Sequence, residues 1–166
     1  MSWSLYVVPV DALGRDGMAE WIASADHSRG VPAVVPRVVP RPSVGAVLDA
    51  LRAAGCHGTN WFEVAGEPAG SRLPECPGAA ACGAAVDLGE VSVYTAGRSS
   101  SVPAVTADAA VETVTFRKPD PAAVLRAVCA LAAVAGPQLV FDEGGAAAFV
   151  VWSGEGAEAL AGEWPW

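Results

Sequence analysis

Four residues in the first half of the chain have side chains that bind zinc in many proteins: Cys56, His57, Cys76 and Cys82. Tetrahedral zinc is held by thiolates and imidazoles, which sequences usually supply as close pairs two to four residues apart. Here five residues separate the last two cysteines, and the first cysteine directly precedes the histidine, so that their side chains would diverge. This spacing matches no standard zinc finger, and we expect neither a metal nor another cofactor from it.

A cysteine nucleophile needs a lowered pKa, which a neighbouring histidine or a helix N-terminus can provide. Cys56 is next to a histidine, but it follows the C-terminal end of a predicted helix, where the dipole disfavours a thiolate. Cys129 falls among the apolar positions of another predicted helix and is interpreted as a core residue. The serines at 99–101 lack the strand–turn–helix frame of a nucleophile elbow. We predict no catalytic residue, and the sequence favours a protein that is not an enzyme without deciding the question.

Three acidic residues stand at or just after the ends of predicted strands: Glu63, Asp142 and Glu143. Together with the nearby Glu67, their carboxylates could converge to perform acid–base chemistry or bind Mg²⁺. Acidic residues in such positions are more commonly solvated turn residues, which is the interpretation we favour.

Two of the last three residues are tryptophans, Trp164 and Trp166. We expect them to pack on the core, because an exposed pair of indoles promotes aggregation. If they are exposed, they are suited to anchor a protein partner. Two further residues, Trp61 and Arg117, are added as candidates because of their residue types. The candidate binding residues are therefore Trp61, Glu63, Arg117, Asp142, Glu143, Trp164 and Trp166.

The composition favours one folded domain that spans residues 1–166. Hydrophobic residues make up 52% of the chain and charged residues only 17%, which is typical of a folded protein rather than a disordered one. With 10 basic against 18 acidic residues, the net charge is -8. This charge disfavours binding to nucleic acid and suits a basic protein partner, although an acidic surface is also a common route to solubility.

Neither a secretory signal nor a membrane span is visible in the sequence. Asp11 and Arg15 interrupt the apolar run at the N-terminus, which lacks a preceding basic region. The longest apolar stretch, Pro121 to Phe141, contains Arg126 and a Gly136-Pro137 break. We therefore expect a cytoplasmic protein that does not contact a membrane and whose four cysteines are reduced. The oligomeric state is left open.

Two segments have strong helix patterns. Ser43 can cap an amphipathic helix that ends before Gly55, and Asp120 with Pro121 can start a second one that ends before Gly136. Four prolines between residues 32 and 42 exclude a central strand there. Strands are predicted at residues 4–8, 59–64, 86–96, 111–116, 139–142 and 147–152, and shorter helices at 16–25 and 155–161. The predicted fold class is α+β, with a mixed, largely antiparallel sheet of about five to six strands and the two main helices packed on one face.

The two main helices and their flanks are faintly similar to each other. Val35–Pro42 and Thr115–Pro121 precede them with a similar pattern of prolines and basic residues. A duplicated strand–helix–strand unit would explain the similarity and would place Glu63 and Asp142 at matching strand ends. Sequences rich in alanine and valine also produce such echoes by chance, so both explanations remain open.

The opening Trp3–Pro9, together with the strand–helix–strand pattern of Val114–Asp142, resembles small uncharacterised actinobacterial α/β proteins. Some of those proteins resemble immunity proteins of polymorphic toxin systems. The resemblance covers less than a third of the chain and depends on hydrophobic pattern and the Phe141-Asp142 pair. In the relatives the acid is typically followed by Pro-Gln, whereas Glu143-Gly144 follows here. The resemblance implies an immunity-type function.

We therefore expect a small cytoplasmic interaction protein, in its most specific form an immunity-type protein that neutralises a basic partner. The alternative is a small-molecule-binding domain or enzyme. Its pocket would lie between the sheet and the loops at 66–83 and 98–109, lined by Trp61, Glu63, Arg117 and Asp142. The shape of the site distinguishes these functions, because polar groups converging in an apolar cleft favour a small ligand and a flatter face with exposed aromatic residues favours a protein.

Overall fold

The computed structural model describes residues 3–67, 73–76, 82, 84–96, 98–99 and 104–166. The helices within these residues are α1 (Met18–Ala23), α2 (Val44–Ala53), α3 (Pro121–Ala135) and α4 (Ala157–Leu160), with 3-10 turns at Val10–Gly14 and Ala84–Val86. The strands are β1 (Ser4–Pro9), β2 (His27–Arg29), β3 (His57–Asn60), β4 (Asp87–Thr95), β5 (Arg98–Ser99), β6 (Thr113–Arg117), β7 (Gln138–Asp142) and β8 (Ala147–Val151). None of the helices in this part of the chain has both the length and the hydropathy to cross a membrane.

All eight strands belong to one mixed sheet, in the order β2-β8-β7-β1-β6-β4-β3, with the short β5 pairing beside β3 on the free edge of β4. The two outermost pairs, β2 with β8 and β3 with β4, are parallel, and the other pairs are antiparallel. The predicted α+β fold with a largely antiparallel mixed sheet is therefore confirmed. The sheet has more strands than the five or six expected, because β2 and β5 have three and two residues and are too short to show a period-two pattern.

Both main helices begin at the residues that the sequence predicts. The Ser43 hydroxyl accepts a hydrogen bond from the Ala46 amide at 3.1 Å, and the Asp120 carboxylate accepts one from the Ala122 amide at 2.9 Å. These side chains satisfy amides that have no partner inside the helix. α2 and α3 pack against each other and on one face of the sheet, where their apolar residues Val47, Leu51, Val124, Val128 and Leu131 meet Leu5, Val7, Val91, Val93 and Phe116.

Within the described residues, the opposite face of the sheet is covered on one half only. There the 3-10 turn and α1 bury a second, smaller core, to which Leu13 and Ile22 contribute from the turn and α1, and Val8, Leu139 and Val150 from the strands. None of the helices that the structure describes packs on the other half, which is formed by β6 and β4. A sheet face without a covering layer remains available to a ligand or partner.

The internal similarity of the sequence has no counterpart in matching units of the fold. Residues 30–42, directly before α2, carry no strand, and the preceding strand β2 lies at the outer edge of the sheet beside β8. In contrast, β6 is a central strand and is followed by α3 after three residues. The strand predicted at 59–64 lies at His57–Asn60, so Glu63 does not occupy a strand end equivalent to that of Asp142.

Candidate functional site

Two clefts that share Tyr6 and Tyr94 lie on the half of the sheet that no described helix covers, and together we call them the trough. Its apolar end encloses about 600 Å³ and its polar end about 150 Å³, and the two ends meet at Tyr6 and Tyr94. The apolar end is lined by Tyr6, Val8, Arg15, Met18, Tyr94, Ala96, Glu112, Thr113 and Phe141. The polar end is lined by Ser4, Tyr6, Trp61, Glu90, Ser92, Tyr94, Thr115 and Arg117.

Alternation along two strands builds the floor of the trough. In β4 the valines at 91 and 93 point into the core below α2 and α3, so Ser92 and Tyr94 point to the other face. In β6, Val114 and Phe116 are buried in the same way, and Thr115 and Arg117 line the trough. Because the register pairs Ser92 with Thr115 and Glu90 with Arg117, the polar residues form cross-strand rows.

Aromatic rings define the apolar end. The rings of Tyr6 and Phe141 are stacked with their centroids 5.5 Å apart. The ring of Trp21 packs against Phe141 in a T-shaped arrangement, with the centroids 5.0 Å apart. Burial raises the pKa of the Tyr6 phenol, and the nearby Glu143 and Tyr94 raise this pKa further. The Tyr6 hydroxyl therefore keeps its proton at neutral pH and is able to donate a hydrogen bond to a ligand.

Four charged residues form a chain that leads from the rim of the apolar end into the protein. Arg15 lies 2.8 Å from Glu112, and the same Glu112 oxygen lies 3.2 Å from Nε of Arg41. Arg41 also binds both oxygens of Asp11 at 2.8 Å. Burial favours a raised pKa for Asp11, but hydrogen bonds from Arg41 and from the Val39 amide outweigh it and hold the pKa below its ordinary value. The two charged residues of the rim are thus tied to a buried ion pair.

Trp61 and Arg117 lie together at the polar end, as the sequence-based pocket hypothesis requires. The Arg117 guanidinium lies 5.9 Å from the centre of the Trp61 ring, and it also contacts the Glu90 carboxylate at 2.8 Å. The Trp61 amide donates a hydrogen bond to Val91 O at 2.8 Å, which fixes the backbone, while half of the residue's surface (50%) stays exposed. The indole is held in place and still accessible.

The three candidate acids are not brought together with this pair. Glu63 is exposed and does not line the trough. The Asp142 carboxylate accepts hydrogen bonds from the amides of Gly144 and Ala147 and so stabilises the turn between β7 and β8. Asp142 is therefore a turn residue, which is the interpretation favoured from the sequence. Glu143 is exposed in that turn and acts on the trough only through its charge near Tyr6. The loops expected to flank the pocket, at 66–83 and 98–109, lie partly outside the described residues.

Four residues of the apolar end are not among the candidate binding residues predicted from the sequence: Tyr6, Met18, Tyr94 and Phe141. The signal that was present is the alternation of β4, which puts a tyrosine on the face away from the helices. Which residues stand beside Tyr94 depends on the order of the strands in the sheet, and local periodicity does not contain that order.

The C-terminal tryptophans pack on the protein on the helix side of the sheet, away from the trough. Trp164 donates a hydrogen bond from Nε1 to Pro121 O at 3.0 Å. Its ring packs against Phe149 in a T-shaped arrangement, with the centroids 5.0 Å apart. Trp166 packs on Trp164 with ring centroids 4.8 Å apart. Both residues are half-buried, so the expectation that they pack on the core is met.

Replacing Trp164 with alanine is expected to lower the free energy of unfolding by about 2–3 kcal/mol, since a half-buried indole loses part of the 3–5 kcal/mol of a buried one. Trp164→Phe keeps a ring against Phe149 and loses only the hydrogen bond to Pro121, which should cost about 1 kcal/mol. Urea unfolding of both variants measures the difference. Equal stability of Trp164→Ala and the wild type would mean that the C-terminus does not pack in solution.

The structure brings three of the four potential zinc ligands together and separates the fourth. His57, Cys76 and Cys82 have donor atoms that all lie within 4.8 Å of one another. Cys76 and Cys82 are joined by a disulfide, which corrects the expectation that all four cysteines are reduced. Cys56 is a free thiol outside this group, and burial raises its pKa to about 11, against a smaller opposing effect of Arg126. It is not an activated nucleophile, in agreement with the sequence analysis.

Comparison of the chain with protein-family models, with curated proteins and with solved structures finds no match.

Proposed function

We propose that the protein is an interaction protein and that the trough is its docking surface for a positively charged protein partner. The observation that carries this proposal is the set of side chains on the uncovered half of the sheet. Tyr6, Trp61, Tyr94, Met18 and Arg117 are there, and tyrosine, tryptophan, methionine and arginine are the residue types enriched at protein interfaces.

The partner's charge follows from the charge of the chain. A net charge of -8 attracts a basic protein over distances longer than a direct contact and repels an acidic one. Within the trough Glu90 and Glu112 are each paired with an arginine, Arg117 and Arg15, and Glu143 lies next to it, so the attraction comes from the charge of the whole chain. In its most specific form, which also draws on the resemblance to immunity-type proteins, the partner is a basic toxin whose substrate groove this acidic protein occupies.

A second candidate function has its own support in the volume of the apolar end. A cleft of about 600 Å³ is within the range that holds small molecules, and it combines apolar walls with a few polar groups. Those groups are the Tyr6 hydroxyl and the Arg15–Glu112 pair at the rim. A small apolar or aromatic molecule with one polar end would fit this arrangement.

The partner can be identified through the trough itself. A photo-crosslinking amino acid in place of Tyr94 in the native cell should give an adduct with a basic protein, and the same amino acid in place of Trp166, on the opposite side of the sheet, should not. With that partner purified, Tyr94→Ala and Trp61→Ala should each weaken binding by about fivefold or more, because truncating a central aromatic anchor typically costs over 1 kcal/mol. Binding should also weaken as the salt concentration rises.

Trp166→Ala is the control for this measurement, since it removes a half-buried indole from the other side of the sheet. If it weakens binding as much as Trp61→Ala does, the trough is not the docking surface. If native mass spectrometry instead finds a small molecule bound to the purified protein and lost in Tyr94→Ala, the second candidate replaces the first.

A further inference from the structure

We propose that His57, Cys76 and Cys82 form a binding site for a zinc-type divalent cation, which is available when the Cys76–Cys82 disulfide is reduced. The proposal concerns the edge of the sheet at β3 and does not depend on the function of the trough. Its starting point is that two sulfurs and one imidazole nitrogen, from three separate places in the chain, lie within 4.8 Å of one another.

The distances around His57 already fit a tetrahedral metal. Nδ1 of His57 lies 3.2 Å from Sγ of Cys82 and 3.8 Å from Sγ of Cys76. Zinc bonds of about 2.3 Å to sulfur and about 2.0–2.1 Å to nitrogen, set at a tetrahedral angle, place the nitrogen about 3.6 Å from each sulfur. The two observed distances lie on either side of this value. Only the two sulfurs have to move apart when their bond is broken.

The protein holds these donors in place through its backbone. His57 is the first residue of β3 and pairs with Asp87 of β4. The Gly58 amide donates a hydrogen bond to Pro74 O at 3.0 Å, which fixes the 73–76 segment against β3, and Leu73 is buried in the main core. Cys82 is 5% exposed. Reduction therefore leaves donors whose positions the fold restrains, and a preformed site loses less entropy on binding a metal.

The donor set selects the class of cation. Two thiolates and an imidazole are soft to borderline ligands, which suit Zn²⁺ and disfavour Mg²⁺ and Ca²⁺. The three residues fill three of four tetrahedral positions, and water is a suitable fourth ligand.

A thiol reductant converts the disulfide form of Cys76 and Cys82 into the dithiol form that can bind the metal. Two thiol groups of the reductant give two electrons and two protons to the Cys76–Cys82 disulfide. The protein disulfide becomes two thiols, and the reductant thiols become a disulfide. Zinc binding then displaces the two protons from Cys76 and Cys82 as the thiolates form bonds to the metal. In an oxidising medium the sulfurs are bonded to each other and offer no thiolate, so the site exists only under reducing conditions.

The test uses the full chain, reduced with a phosphine under nitrogen and titrated with Zn²⁺ in competition with a chromogenic chelator. We expect one equivalent of zinc per chain in the reduced protein and none in the oxidised protein. With Co²⁺ in place of Zn²⁺, a sulfur-to-cobalt charge-transfer band should appear, which reports thiolate ligation directly. Cys82→Ser and His57→Ala should weaken binding by more than the roughly 10–100-fold that loss of an outer-shell partner costs.

Cys129→Ala is the control, because it removes a free thiol on α3 that is not among the clustered donors and leaves those three donors intact. Its zinc affinity should equal that of the wild type. Circular dichroism of each variant establishes that it is folded, and His57→Ala keeps both cysteines if Cys82→Ser does not fold. The proposal is overturned if the reduced wild type binds no zinc, if the cobalt form lacks the charge-transfer band, or if Cys129→Ala loses as much affinity as Cys82→Ser.

Discussion

Replacing Arg41 with methionine is expected to lower the free energy of unfolding by about 4 kcal/mol, because it leaves the Asp11 carboxylate buried without its counter-charge. The Asp11 side chain is 2% exposed and that of Arg41 is 14% exposed. Two parallel hydrogen bonds of 2.8 Å join them, and the Val39 amide adds a third to Asp11 at 3.0 Å. After the substitution only the amide remains, and it does not balance a buried charge. Urea unfolding at neutral pH measures the loss.

Arg15→Met is the matched control, since it removes the same kind of side chain from an ion pair at the surface. The side chains of Arg15 and Glu112 are 44% and 32% exposed, and exposed pairs of this kind contribute about 0–1 kcal/mol. The double variant Asp11→Asn/Arg41→Met removes both charges and should recover part of the stability lost in Arg41→Met. If Arg41→Met costs no more than Arg15→Met, the Asp11–Arg41 pair is not buried in solution.

The difference in unfolding free energy between the wild type and Arg41→Met depends on pH. In the wild type the folded state holds the pKa of Asp11 below its ordinary value of 3.8, so this carboxylate contributes stability above pH 3.8. That contribution is lost as the pH falls through the lower pKa of the folded state. In Arg41→Met the unpaired, buried carboxylate is relieved by protonation, and so the stability of this variant falls less on acidification. The difference between the two proteins should therefore shrink as the pH falls from the raised pKa of Asp11 in the variant, above 3.8, to its lowered pKa in the wild type, below 3.8.

The ion pair matters for the proposed docking surface as well as for stability. Arg41 holds Glu112 at 3.2 Å, and Glu112 in turn holds Arg15 at the rim of the apolar end. Loss of Arg41 leaves Glu112 with one cationic neighbour instead of two. We therefore expect the rim to be less ordered in Arg41→Met, and partner binding at the trough to weaken even where the variant is fully folded.

Local signals in the sequence were sufficient for the elements that stabilise themselves. Ser43 and Asp120 cap helices whose apolar stripes are continuous, so α2 and α3 could be placed to within a few residues. β4 alternates from Glu90 to Tyr94 and could be recognised for the same reason. In these segments the residues that determine the structure are close together in the chain.

The candidate sites depend on contacts between residues that are distant in the chain, and this is why the sequence could suggest some of their members but not how they come together. Asp11 and Arg41 are 30 positions apart, with the proline-rich segment between them. His57 and Cys82 are in contact although they are 25 positions apart, and their spacing matches no standard metal-binding motif. Trp61 and Arg117 were selected from residue type alone, and the pairing of β4 with β6 places them side by side.

Gly89 shapes the strand that carries much of the trough floor. Residues 57 and 59 of β3 pair with residues 87 and 90 of β4, so β4 contains one extra residue at this point, a β-bulge. Gly89 has φ +64°, a left-handed conformation that other residues adopt at a cost. The bulge changes the alternation of β4, so that Leu88 and Val91 both face the core while Glu90 faces the trough.

Gly89→Ala is expected to lower the free energy of unfolding by about 4 kcal/mol. The left-handed backbone accounts for about 1–2 kcal/mol. The added Cβ would lie 2.3 Å from Arg117 O and 2.7 Å from Lys118 O, and these backbone atoms of the neighbouring strand and its end have to shift, at a further cost of about 1–3 kcal/mol. Urea unfolding measures the total, and amide hydrogen exchange should quicken in β4 and β6 more than in β7.

Gly55→Ala separates the two contributions. Gly55 has φ +75°, and an added Cβ would meet nothing within 4 Å, so this variant carries only the backbone cost of about 1–2 kcal/mol. A clear excess loss in Gly89→Ala then measures how closely β4 approaches the end of β6 at the bulge. Equal losses in the two variants would contradict that close approach. In that case Glu90 would have no fixed position opposite Arg117, and the polar end of the trough would lack the geometry on which docking at Trp61 depends.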